Sequence, residues 1–224
     1  MMNRLIALLL PLALTAAAAP PAKDWRTNVT ETAAGWTFGK PGAPILTEYA
    51  SFGCPHCGHF AAETGTKIDS LVKAGKLRFA FRPFLIFPQD RAGYVLARCV
   101  PAAKRLAYIE AVFADQAASR ARLKDADANE ATRAALYNAE LAGPVPHSAA
   151  LAEVSGFKAL TLAQGVTAAK ADQCLANQAA HDWVTNADLS SRTAGVKGTP
   201  TYFWKGVQLG EDLTPESLLK VLPR

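Results

Sequence analysis

Ile45-Leu-Thr-Glu-Tyr-Ala-Ser-Phe52, then Gly53, then Cys54-Pro55-His56-Cys57, is the stretch on which the fold turns. Its first eight residues are β-rich, and Gly53 turns the chain into an amphipathic run carrying Phe60, Ala61, Ile68 and Leu71. A strand therefore gives way to a helix, with two thiols at the junction. Two cysteines spaced by two residues can form and break a reversible disulfide. At a helix N-terminus Cys54 meets unpaired backbone N–H groups and the positive end of the dipole, both of which favour thiolate over thiol. Cys57, one turn further in, is expected to be the more buried partner. Period-two alternation puts Glu48, Ala50 and Phe52 on one face of the strand and Thr47 and Tyr49 on the other.

Downstream, Lys76-Leu-Arg-Phe-Ala-Phe-Arg-Pro83 alternates apolar and basic residues, with Leu77, Phe79 and Phe81 sharing a face. Strand, helix over Cys57 to about Ala74, and strand make a βαβ unit with parallel strands and a right-handed crossover. Upstream, Gly35-Trp-Thr-Phe38 is expected to be a first strand, after a polar segment with Trp25 and Asn28. From Asp90 to Ala194 the chain turns alanine-rich at helical spacing. Tyr94, Ala97 and Val100 precede a break at Pro101, Leu106, Ile109, Val112 and Phe113 form a second stripe, and Ala131 to Leu141 a third. Gly143-Pro-Val-Pro146 interrupts the helices and Gly195 ends the last. Thr201-Tyr-Phe-Trp204 and Val207-Gln-Leu209 then flank a Lys205-Gly206 turn, and Thr214, Pro215 and an apolar stripe close the chain with a helix.

The chain has 224 residues, half of them apolar, enough for one domain with a sizeable core or one carrying a large insert. Residues 1–19 combine Arg4, the apolar run Leu5 to Leu14 and the alanines Ala16 to Ala19, the three regions of a secretory signal peptide. The expectation is a soluble exported protein, cleaved among Ala17, Ala18 and Ala19, with an uncleaved membrane anchor as the alternative. The formal charge is +5, or +4 without Arg4. Basic residues are scattered apart from Arg120, Arg122 and Lys124, and they lack the aromatic interleaving of a nucleic-acid platform; a solvated helical face is the simpler reading.

Export to an oxidising compartment makes an even cysteine count expected to pair. If Cys54 pairs with Cys57, Cys99 and Cys174 are left for each other, and their bridge would close a loop of about seventy-five residues worth roughly 4 kcal/mol. Two buried free thiols are the alternative. A zinc reading fails for want of ligands, since there is one close pair only and His147 and His181 are isolated, so no metal and no cofactor is expected.

Strand, Cys-x-x-Cys helix, strand, helical insert, Gly198-Thr199-Pro200, hairpin and terminal helix together resemble the thioredoxin fold, specifically its DsbA-like branch. The resemblance covers most of the mature chain, and Ser51-Phe-Gly-Cys-Pro-His-Cys57 is similar to the active-site signature of that branch. It implies an α/β thioredoxin-fold domain at 20–89 and 195–224, with an inserted helical subdomain at 90–194. It further implies a cis Pro200 facing the redox pair, with the preceding backbone pairing to substrate as an added strand. Thr199 stands where many DsbA enzymes carry valine, which leaves substrate preference open. Glu48 corresponds to a buried acid beneath the active site. It is expected either to relay a proton for Cys57 or to be tied to Lys76, Arg78 or Arg82.

The resemblance implies a thiol:disulfide oxidoreductase at work in the periplasm. A substrate thiolate attacks Cys54 of the Cys54–Cys57 disulfide, Cys57 is released, and a second substrate thiol resolves the mixed disulfide. Pro55 and His56 shape the pair, and His56, if protonated, adds to the helix dipole. Expected partners are reduced exported proteins and a quinone-linked membrane reoxidase of the DsbB type. Isomerase or reductase is the rival, although isomerases such as DsbC and DsbG carry a dimerisation domain for which fewer than about twenty residues remain after the signal peptide; a monomer is expected. A non-catalytic chaperone or binding module is the third possibility, and the intact cysteine pair opposes it.

Overall fold

The computed structural model describes residues 23–210 and 212–224; the signal peptide expected at 1–19 lies outside the described residues. Six strands form one sheet among these residues: β1 (Val29–Thr32), β2 (Gly35–Gly39), β3 (Ile45–Ala50), β4 (Arg78–Pro83), β5 (Thr201–Trp204) and β6 (Val207–Gln208), in the order β1-β2-β4-β3-β5-β6. β3 and β4 are parallel, with Ile45 opposite Arg78 and Glu48 opposite Phe81, and α1 (Pro55–Lys73) joins them. The other pairings are antiparallel. In β4 the consecutive residues Phe79, Ala80 and Phe81 are all buried, because helices cover both faces of a central strand.

Between β4 and β5 run α2 (Asp90–Cys99), α3 (Ala102–Ala114), α4 (Gln116–Ala128), α5 (Glu130–Leu141), α6 (Pro144–Ser155), α7 (Phe157–Ala163), α8 (Ala168–Leu175) and α9 (Gln178–Thr193). They are joined to the sheet by aromatic packing: Phe52, at the end of the β3 segment, meets Phe81, Tyr94, Tyr108, Phe113 and Phe157. Tyr94 also donates its hydroxyl to the carbonyl of Ala50. Cys99, the last residue of α2, is disulfide-bonded to Cys174 in α8, with the Cα atoms 5.9 Å apart. None of the described helices is long and apolar enough to cross a membrane.

Two readings of the sequence need correction, those of Gly35–Phe38 and Arg122, and a third gains a qualification. Gly35–Gly39 is the second strand: Val29-Thr-Glu-Thr32 precedes it as an edge strand whose last three residues are exposed, so no apolar alternation marked it. The stripe from Ala131 to Leu141 does form a helix, yet α5 buries no residue, and Tyr137 and Leu141 stand 59% and 69% exposed. Arg122 is not simply solvated, since it pairs with Asp115 and donates to the carbonyl of Ser155. The chemistry of the C-terminal end is local. Lys205 and Gly206 both adopt positive φ (51° and 85°), the conformation of a two-residue hairpin turn. Thr214 and Ser217 cap one another's backbone at the start of α10 (Pro215–Val221), which buries Leu218.

Candidate active site

Cys54 is the N-cap of α1 and Pro55 its first helical residue. Proline suits that place because its φ is already helical and its missing N–H would be unpaired anyway. A helix starting here leaves the N–H groups of His56 and Cys57 directed at the Cys54 sulfur. Both thiols are free, and burial is 5% exposure for Cys54 against none for Cys57. Hydrogen bonding from the Cys57 thiol is the largest influence on Cys54 and, with Thr199 and the N–H groups of Cys57 and His56, overcomes burial to bring it down to about 5. Cys57 moves the opposite way, well above an ordinary thiol, through burial and then through giving its hydrogen bond to Cys54. One sulfur is thus prepared as thiolate and its neighbour kept as thiol.

From 145 residues away, β5 brings the loop before it over this pair. The Thr199–Pro200 peptide is cis, and the carbonyl of Thr199 accepts from Cys54 Sγ at 3.3 Å. The Thr199 hydroxyl is buried without a partner while Cys54 holds its proton, and becomes a donor when Cys54 is thiolate. His56 and Pro55 are exposed beside the pair. A groove of about 610 Å³ runs past His56, Phe60, Lys197, Thr199, Pro200 and Leu209.

Glu48 lies beneath, 5% exposed, with Oε1 lacking any hydrogen-bond partner. Burial raises it to about 8, hydrogen bonding to Tyr202 opposes the rise, and a charged Cys54 adds to it. Of the two alternatives for Glu48, the tie to Lys76, Arg78 or Arg82 is not formed. Arg78 and Arg82 stand opposite Ile45 and Tyr49 in the β3–β4 register, which is the other face of the sheet from Glu48. Arg78 donates to the carbonyl of Ala43, Arg82 to that of Trp36, and Lys76 to that of Arg224. Tyr202, directly across from Glu48 on β5, is the neighbour that sequence reading missed. A cavity of about 410 Å³ between α1 and α3 reaches Glu48 and Tyr202 past Thr64, Phe79 and Ile109.

Two further side chains at this site had no signal in the sequence. Asp90 and Gln116 begin α2 and α4 and both reach the loop before Cys54. Asp90 stood only as the start of an alanine-rich region, and Gln116 as one polar residue among many. His181 is elsewhere: it is buried, with Nε2 against the Leu175 carbonyl at 2.7 Å.

The family model described as Thioredoxin matches residues 31–224. Among solved structures, a protein-disulfide isomerase from Novosphingobium aromaticivorans is 26% identical with a TM-score of 0.70, over 82% of this chain and 93% of that one. The alpha-DsbA1 of Wolbachia pipientis is 20% identical with a TM-score of 0.61, over 83% and 87%. MdbA, a thiol-disulfide oxidoreductase from Actinomyces oris, is 22% identical with a TM-score of 0.55, over 84% and 87%. No curated protein sequence matches the chain. A match running from β1 to the C-terminus, around a thiol pair seated where β3 meets α1, means that the chain belongs to the thioredoxin family.

Proposed function

We propose that this protein is an exported oxidase that donates its Cys54–Cys57 disulfide to reduced proteins folding in the periplasm. The observation that carries the reading is the opposite treatment of the two sulfurs: Cys54 is held as thiolate by hydrogen bonds at a helix end, while Cys57 is buried as thiol. A substrate thiolate attacks Cys54 Sγ, the Cys54–Cys57 bond breaks, and Cys57 leaves and takes up a proton. A second substrate thiolate then attacks the substrate sulfur of the mixed disulfide, and Cys54 leaves as thiolate. Two substrate thiols are oxidised and one disulfide of the enzyme is reduced. The better Cys54 is stabilised as thiolate, the better it leaves and the more oxidising the pair becomes.

In this reading Glu48 exchanges the proton of Cys57, and Thr199 and Pro200 receive the substrate backbone along the groove beside His56. The bonded Cys99 and Cys174 serve as a structural brace within the insert at 90–194, which sits on a thioredoxin domain at 20–89 and 195–224. Reoxidation falls to a quinone-linked membrane partner of the DsbB type, and the working form is a monomer. The test is the equilibrium of the pair with reduced and oxidised glutathione. A potential well above about −200 mV is expected, and one near about −270 mV, where thioredoxin lies, would reject the oxidase. Isomerase is the second reading, favoured by the similarity to the Novosphingobium protein-disulfide isomerase. An isomerase would restore activity to a substrate with scrambled disulfides when supplied in the reduced form.

A further inference from the structure

The loop Ser51 to Cys54 is gripped at both its donors and its acceptors by two side chains of the helical insert. Asp90, fully buried, accepts from the Ser51 hydroxyl at 2.7 Å and from the Gly53 N–H at 2.8 Å. The same carboxylate accepts the N–H groups of Ile86 and Phe87, each at 2.8 Å, from the loop between β4 and α2. Gln116, 6% exposed, donates from Nε2 to the carbonyls of Phe52 at 2.9 Å and Cys54 at 2.8 Å. Two carbonyls require a donor, so the chemistry fixes which end of the amide faces the loop.

Two glycines make room for these approaches. A Cβ on Gly58 would lie 2.3 Å from Gln116 Oε1, so the amide reaches under the first turn of α1 only because residue 58 has no side chain. A Cβ on Gly53 would lie 2.5 Å from the ring of Phe87, in the segment whose backbone Asp90 also holds. Neither Asp90 nor Gln116 bonds a cysteine sulfur. They act on the peptide planes around Cys54, whose carbonyl also accepts the Gly58 N–H that opens α1 at 3.2 Å. Those planes set where Cys54 Sγ sits relative to the N–H groups at the helix end. Buried polar groups of this kind are costly unless all are satisfied, and here one carboxylate and one amide between them satisfy six.

We propose that Asp90 and Gln116 are positioning residues that hold the Cys54 loop in its reactive geometry, so that the helical insert sets the reactivity of the redox pair. The proposal rests on the reading of Cys54 as the exchanging sulfur. Its test compares wild type with Gln116→Met, which keeps length and removes the donor, and Asp90→Asn, which keeps shape and turns half the acceptor into a donor. The measurement is the rate of alkylation of Cys54 in the reduced protein against pH, with the glutathione equilibrium and the thermal midpoint alongside.

In wild type the profile should turn near pH 5. In each variant it should turn about one unit higher, with a roughly tenfold shift of the glutathione equilibrium toward the protein disulfide. Variants with a lowered thermal midpoint and an unchanged profile and equilibrium would show a merely structural role and overturn the proposal. Gln116 is uncharged and lies on a different helix, so Gln116→Met remains decisive even if the Asp90 variant fails to fold. An ordinary thiol profile in wild type itself would overturn the oxidase reading and this proposal with it. A low wild-type profile kept by the folded variants would overturn this proposal alone.

Discussion

At the scale of single residues, Glu48 is the side chain whose burial has the clearest consequence in solution. Folded, it keeps its proton up to about pH 8, whereas an ordinary glutamate releases it near 4.5. Between those values the folded state binds the extra proton, so stability falls as the pH rises through that window. Glu48→Gln cannot ionise and should lack the decline. Between pH 4.5 and 8.5 the wild type should lose on the order of 3 kcal/mol more than the variant, read from denaturant midpoints, and parallel profiles would show that Glu48 is not held protonated. The placement of Cys54, Cys57, a buried Glu48 and a cis Pro200 around one site could be anticipated, because the motifs that hold them carry the family resemblance. Asp90 and Gln116 could not. They act on the backbone of the loop, and a backbone partner leaves no pattern in the residues it holds.

Elements were legible where their signals were local. Gly53 before the cysteine pair, the Lys205-Gly206 turn and the Thr214 cap each mark a boundary through a residue at or beside it. β1 escaped because an edge strand with three exposed residues needs no apolar period. The stripe of α5 was read at the right residues, but periodicity shows only that a helix has an apolar side, not that anything covers it. The C-terminal cap yields a prediction at this scale. In α10 the Thr214 side chain accepts the Ser217 N–H, and Leu218, fully buried, depends on that first turn. Thr214→Ala should cost about 1 kcal/mol in urea unfolding and speed amide exchange in α10 first. An unchanged midpoint with unchanged exchange would mean that tertiary packing alone holds the helix.

For the whole molecule, the helices between β4 and β5 lie inside the sequence of the sheet, so their cohesion and that of the redox site can be separated. Cys99 and Cys174 close a stretch of 75 residues within those helices, and opening it should release up to roughly 4 kcal/mol of loop entropy. Cys99→Ala combined with Cys174→Ala should lower stability by up to that amount while leaving the glutathione equilibrium of Cys54 and Cys57 in place. Equal stability with and without the bond would remove its structural role. The sheet order has a different consequence, in time rather than in energy. β3 sits between β4 and β5, and β5 is made only after all eight intervening helices. A chain synthesised from its N-terminus therefore exposes β3 along one edge, and Cys54 has no Thr199 carbonyl above it, until residues near 204 have emerged. All four cysteines precede that point. Each new copy therefore carries all four of its thiols before its Cys54 site is complete.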